Sequence, residues 1–200
     1  GIVVGVAPSA KVAGLNVFGA NTNTTDSLII SGINWAIANR TTYNIVATNM
    51  SLGDSVNHGS WCSGSAYDTP VYNANVAGIK VVVAAGNEGF TSGLSSPGCV
   101  FGVIAVGAVY SANIGATNFG PCSDATTAPD KITCFSDFVP NAMPTYILAP
   151  GVNQTAGGYT LSGTSQATPY VSAATAILQS AAPPPSPVQQ QAVTGAYYVQ

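Results

Sequence analysis

The stretch Tyr159–Gln179, YTLSGTSQATPYVSAATAILQ, decides how the chain reads, because a short polar turn breaks there into an apolar helix and Ser165 stands at the break. Gly163 permits a close backbone approach that a β-carbon would forbid, and Thr164 is expected to cap the helix that Ser165 begins. A hydroxyl so placed meets the positive end of the helix dipole, where unpaired N–H groups point outward and favour a developing anion. Behind it the run is apolar or small at Ala167, Val171, Ser172, Ala173, Ala174, Ala176, Ile177 and Leu178 and carries no charge, the composition of a helix packed into a core. Pro169 falls in the first turns, where its missing N–H is expected to cost little.

Working outward from this helix, the rest of the chain alternates strand and helix. Lys11–Phe18, 45–50, Lys80–Ala85 and Val100–Val106 read as strands; the third is an unbroken β-branched and small run, as a strand buried on both faces requires. Between them, Ser27–Asn39 reads as a helix with Thr24 or Thr25 as its cap and Asp26 in its first turn, and 66–77 reads as a second. Ser186-Pro187 followed by VQQQAV has the cap and first-turn proline of a last helix. Strand and helix in this rhythm predict an α/β fold, a parallel sheet with helices on both faces. Ligands in such sheets bind beyond the carboxyl ends of the strands, so Ser51-Leu52-Gly53 and Ala85-Gly86-Asn87 should face one crevice.

Two hundred residues with 46% hydrophobic content suffice for one substantial core. Four Lys plus Arg and a net charge of −3 leave no basic face for nucleic acid, and no apolar run reaches the length of a membrane span. The opening GIVVGVAPSA lacks the basic start of a signal peptide and reads as the interior of a mature protein. Cys62, Cys99, Cys122 and Cys134 show no CxxC spacing and have a single histidine for company, so disulfides in an extracytoplasmic compartment fit better than zinc. Of the three pairings, Cys122–Cys134 with Cys62–Cys99 is expected, since the first closes a short loop around a segment without a core-forming pattern.

Gly163-Thr164-Ser165-Gln166-Ala167-Thr168-Pro169 resembles the nucleophile motif of the subtilisin-like serine proteases, commonly Gly-Thr-Ser-Met-Ala-Ser/Thr-Pro-His, with departures at Gln166 and Tyr170. GVAPSAKVAGLNVF, GINWAIAN, NMSLG, VVVAAGNEG, SPGCVFGVIAVGAV and LAPG are similar to other segments of that family and follow in its order. The resemblance implies a subtilisin-like α/β domain with this helix at its centre, and a serine endopeptidase acting on peptides or proteins. Ser165 would be the nucleophile. Asn87 would donate to the oxyanion beside the Ser165 N–H. Ser51, Leu52 and Gly53 would pair with an extended substrate, and Ala84, Ala85 and Gly86 would form the opposite wall of a pocket for a sizeable apolar side chain, with Glu88 at its mouth tolerating a basic one. Asn21–Thr24 would be the second substrate edge, though family members often carry Gly there.

In the family the catalytic Asp and His motifs precede the GVAP segment, at which this chain starts. Residues 1–200 are therefore expected to be a partial subtilisin-like peptidase domain lacking its N-terminal strands, inactive alone, with its own N-terminal segment as a partner. His58, in SVNHGSW, lies outside any family match and reads as a solvated loop histidine. Asp26, Asp54, Asp68, Asp124, Asp130 and Asp137 read as caps, turn formers or loop charges. The resemblance implies no required cofactor and supplies no matched ligands for the calcium that family loops bind. The competing reading is a non-catalytic relative that binds extended peptides.

Overall fold

Four short runs of β-branched and small residues pair side by side in one parallel sheet, and that pairing is what places the site. The computed structural model describes residues 4–19, 23–59, 61–139 and 145–181. In chain order the elements are α1 (Asp26–Ala38), α2 (Arg40–Tyr43), β1 (Ala47–Met50), α3 (Asp68–Val76), β2 (Lys80–Ala84) and β3 (Ile104–Val109). They continue with β4 (Thr117–Asn118), β5 (Ser123–Asp124), β6 (Tyr146–Pro150), β7 (Gln154–Ala156), β8 (Tyr159–Leu161) and α4 (Thr164–Ala181). The sheet runs β1-β2-β3-β6, with Met50 beside Val83, Val83 beside Ala105 and Gly107 beside Leu148. β4–β5 and β7–β8 are small antiparallel pairs.

Alternation along β2 divides the core between the two faces. Val81 and Val83 pack with Ile29 and Ile33 of α1 and Val71 and Ala74 of α3, whereas Val82 packs with Val106, Ala108, Ala167 and Val171 on the α4 side. Each of these valines is fully buried on β2, a contribution of about 1.5–3 kcal/mol apiece before chain entropy is counted. The expected helices on both faces are therefore present. Thr25 caps α1 through its hydroxyl, which accepts the Leu28 N–H, as the sequence indicates.

The structure corrects several boundaries. The expected strand over 11–18 is not one: the segment is exposed and forms no ladder, because among the described residues no strand lies beside it. The strand expected over 100–106 begins only at Ile104, since 97–103 turns on Val100 N–H to Pro97 and Val103 N–H to Val100 bonds. It then continues through Gly107, where glycine is needed because a β-carbon would lie 1.9 Å from the Tyr146 hydroxyl. α4 is buried along one face only, at Thr164, Ala167, Thr168, Val171 and Thr175, while Ile177 and Leu178 stay exposed. The last helix expected from Ser186, and Asn21 and Thr22 of the second substrate edge, lie outside the described residues.

Both expected disulfides are formed, Cys62–Cys99 and Cys122–Cys134, closing separations of 37 and 12 residues. By loop entropy, removing the longer one with a Cys62→Ala/Cys99→Ala pair should cost about 4 kcal/mol, and removing the shorter about 3 kcal/mol. Urea midpoints of the two double variants check this; a larger loss from the shorter loop would mean that contacts, not chain entropy, dominate. Asp124, expected to be a cap, turn former or loop charge, is instead buried at the base of the second loop, accepting from Lys131 Nζ (2.8 Å), the Tyr110 hydroxyl (2.8 Å) and the Cys134 N–H (2.9 Å). Burial opposes its charge, but these donors outweigh it and hold the carboxyl below the usual range.

Candidate active site

The carboxyl ends of β1 and β2 and the N-terminus of α4 converge on one cleft of about 180 Å³. Leu52, Gly53, Ser55, Ala84, Gly86, Asn87, Glu88, Ser95, Thr164 and Ser165 line it. Of the residues singled out from sequence, Ser165, Asn87, Leu52, Gly53, Ala84 and Gly86 are thus brought together. Two others are placed differently. Ala85 points away from the cleft into a cluster with Leu94, Cys99, Ala105 and Val139, as alternation beyond β2 dictates. Ser51 works on the helix rather than lining the cleft.

The role of Ser51 follows from Pro169. That proline is the sixth residue of α4, past the positions where an N–H would be free anyway, so it removes the bond that the Ser165 carbonyl would otherwise accept. The Ser51 hydroxyl replaces it, donating to the Ser165 carbonyl at 2.9 Å. In the other direction the Ser165 hydroxyl donates to the Ser51 carbonyl at 3.4 Å. Strand end and helix start are locked together at the residue that matters.

Thr164 does not cap the helix from outside, as expected, but is its first residue, with Gly163 accepting the Gln166 and Ala167 N–H groups. Its buried hydroxyl accepts the Gly86 N–H (3.3 Å) and lies within bonding reach of the Gly86 carbonyl (3.2 Å) and Asn87 Oδ1 (3.0 Å). Its N–H donates to Asn87 Oδ1 at 2.8 Å. A main-chain N–H can only donate, so this bond fixes the amide orientation: Oδ1 faces α4 and Nδ2 faces away from it. Among the described residues neither Asn87 Nδ2 nor the Ser165 N–H has an acceptor, and both belong to residues lining the cleft. Two free donors beside a hydroxyl at a helix N-terminus are suited to a developing oxyanion.

The wall opposite is held from behind by Asp137, which was expected to be a cap, turn former or loop charge and is instead fully buried. Its Oδ1 accepts the Glu88 N–H (3.1 Å) and the Phe90 N–H (2.9 Å), and its Oδ2 accepts the Ser95 hydroxyl (3.2 Å). Gly86 is obligatory here: its φ is +120°, and a β-carbon would lie 2.0 Å from Asp137 Oδ2. Burial, reduced by the Phe90 N–H and reinforced by the Glu88 charge, pushes the Asp137 carboxyl up to about 6. Burial also works to raise Glu88, but bonds from Ser55, the Asn87 N–H, Asp137 and Ser95 outweigh it and hold Glu88 below its usual range. Below about pH 6 the proton that the pair takes up therefore sits on the buried partner.

A pH dependence follows. Because folding lifts Asp137 above the ordinary carboxylate range, the folded chain binds more protons there than the unfolded one, so stability from this group is present below about pH 4 and lost as pH rises through about 6. The full loss is about 3 kcal/mol. Asp137→Asn keeps the shape and one acceptor oxygen, so its urea midpoint should match the wild type at acid pH and exceed it at neutral pH. Parallel pH profiles for the two proteins would refute this.

His58 is bonded to Asp54 at 2.8 Å and is half-buried rather than freely solvated. Its main chain bridges to Leu94, and Asp54 Oδ1 accepts the Ser96 N–H, so the pair braces the 53–58 and 93–96 segments. No imidazole among the described residues reaches the Ser165 hydroxyl. The one metal-ligating cluster among them, His58 with Cys62 and Cys99, is closed by the disulfide.

This arrangement has known counterparts. The Subtilase family model matches residues 1–195. The chain belongs to the subtilase family. It is 32% identical over 198 residues to the extracellular serine proteinase of Thermus sp. strain Rt41A, covering 94% of this chain and 41% of that protein. To subtilisin E of Bacillus subtilis strain 168 it is 36% identical over 191 residues, covering 90% and 42%. A cold-adapted subtilisin-like serine proteinase of solved structure superposes with a TM-score of 0.71 at 26% identity, over 96% of this chain and 62% of that one. The chain thus spans about two-fifths of the length of these two curated relatives. Within this subtilase sequence, Ser95 and Asp137 escaped the motif reading. A lone carboxylate inside the apolar run ITCFSDFV was the available signal.

Proposed function

We propose that the whole protein to which residues 1–200 belong is a secreted serine endopeptidase of subtilisin type. The observation that carries this reading is the pair of unpaired donors, the Ser165 N–H and Asn87 Nδ2, beside the Ser165 hydroxyl at the cleft. The catalytic base and the acid that orients it come from residues outside this chain. With them, Ser165 Oγ attacks the peptide carbonyl carbon as the base takes its proton. The carbonyl oxygen becomes an anion held by the two donors, the C–N bond breaks with the proton passing to the amine, and water then releases the acyl group from Ser165. Side chains and main-chain N–H groups suffice for these steps; calcium, if bound, has no assigned ligands here.

An extended peptide or protein substrate would lie along Leu52 and Gly53 and place the side chain before the scissile bond in the cleft. Leu52 and Ala84 favour an apolar side chain there, and Glu88 accommodates a basic one. Upstream residues would complete the sheet at β1, whose outer edge has no partner strand among the described residues. Secretion is supported by the two disulfides and by the relative from Thermus being named extracellular; among the described residues no helix is long and apolar enough to cross a membrane. A non-catalytic peptide binder would have no use for the donor pair. The test is to label the upstream-containing protein with a fluorophosphonate and map the adduct: modification of Ser165 supports a peptidase, and its absence under conditions where the protein is folded favours the binder.

A further inference from the structure

Asn87 lies at the tip of a turn, 86–90, and a free-standing turn would let its amide swing. The cleft face of that amide is exposed, so rigidity has to come from behind. Segment 135–138 supplies it. The Asp137 N–H donates to the Gly86 carbonyl (3.1 Å), the Gly89 N–H to the Phe135 carbonyl (2.8 Å), and the Phe138 N–H to the Phe90 carbonyl (2.7 Å). Into the hollow of the turn projects the Asp137 carboxylate, accepting the Glu88 and Phe90 N–H groups. Residues on both sides of Asn87 are therefore held by Asp137, Gly86 by its main chain and Glu88 by its side chain.

We propose that Asp137 is a positioning residue for Asn87, fixing the 86–90 turn so that Nδ2 faces the place where the oxyanion forms. This rests on the peptidase reading above. Other contacts hold the side chain of Asn87 to α4 and the Glu88 carboxylate accepts the Asn87 N–H (2.9 Å), but among the described residues only the Asp137 side chain ties two N–H groups of the turn to one oxygen. A carboxylate at 0% exposure is an expensive group to keep in a core and is tolerated where every lone pair has a use. The groups facing it are Glu88 from the turn itself, Ser95 from the loop behind, and Tyr146 of β6, whose hydroxyl donates to the Asp137 carbonyl (2.8 Å). No cation among the described residues pairs with it. Both bonds of its Oδ1 are spent on the turn.

The experiment is a double-variant cycle in the upstream-containing protein, read as kcat and KM on one peptide substrate, with fluorophosphonate labelling of Ser165 measured alongside. Asp137→Ala should lower kcat by roughly 10–100-fold with KM little changed, because a misplaced donor loses transition-state binding alone. Asp137→Asn, which retains the oxygen accepting both N–H groups, should restore most of that loss. In an Asn87→Ala background, Asp137→Ala should cost no more than about twofold further, since the donor it positions is already gone. Full additivity of the two losses, or a fall that appears in KM, would overturn the proposal and leave Asp137 a core residue; so would an Asn variant as impaired as the Ala variant. These outcomes are all read in protein that still labels at Ser165, whereas loss of labelling in the wild type would instead bring down the peptidase reading itself.

Discussion

Replacing Ser165 with alanine in the protein carrying its upstream residues is expected to abolish fluorophosphonate labelling and to lower kcat by about 10⁶-fold, the size found when the nucleophile of subtilisin, a member of this family, is removed. The fold should survive. The substitution deletes one oxygen whose only bond among the described residues is the 3.4 Å contact to the Ser51 carbonyl, and it leaves the Ser165 carbonyl bonded to the Ser51 hydroxyl. Stability should therefore change by less than about 1 kcal/mol, readable as an unaltered urea midpoint. Labelling that persists on another serine, or turnover within tenfold of wild type, would remove Ser165 from the mechanism. The chain of residues 1–200 by itself should also be near-inactive, since no histidine among its described residues reaches the hydroxyl.

How far the sequence foretold this differs from element to element, for physical reasons. The β2 strand was legible because burial on both faces demands an unbroken run such as Lys80–Ala84, and α1 because Thr25 and Asp26 mark its start. The Gly163-Thr164-Ser165 corner was legible because its chemistry is local. What failed was whatever depends on a distant partner. Lys11–Phe18 has the composition of a strand, but a strand exists only as half of a ladder, and no neighbour stands beside it among the described residues. The extension of β3 through Gly107 was not read, because the Tyr146 side chain that packs against that glycine lies far along the chain. β6 itself was recognised only as the motif LAPG.

The site shows the same division. Ser165 and Asn87 could be picked out individually, yet the bond that orients Asn87 comes from the Thr164 N–H, and the brace behind it from Asp137, remote from both in sequence. Asp137 and Asp124 were misread for one reason: an isolated carboxylate in a sequence carries no sign of the donors that will surround it. The Ser51 side chain carries a bond that the sequence did not announce, because its donation to the Ser165 carbonyl is called for by Pro169, and only the assembled helix exposes that need.

Asn87 offers the second large effect, and two substitutions separate its structural from its catalytic work. Asn87→Ala removes both the Nδ2 donor and the Oδ1 acceptor. It should lower kcat by about 10²–10³-fold, the loss measured for the corresponding donor in subtilisin itself, with KM nearly unchanged because the donor acts on charge that develops only in the transition state. It should also cost about 1 kcal/mol of stability, since the Thr164 N–H loses its 2.8 Å partner at the start of α4. Asn87→Asp keeps an oxygen for the Thr164 N–H and hydroxyl but replaces the donor with a negative oxygen facing the cleft. Its urea midpoint should stay near the wild type, while kcat falls at least as far as in the alanine variant, because a carboxylate beside a forming oxyanion repels it. If Asn87→Asp were instead as active as wild type, Nδ2 would have no part in stabilising the oxyanion, and the Ser165 N–H would have to hold that charge with some other donor.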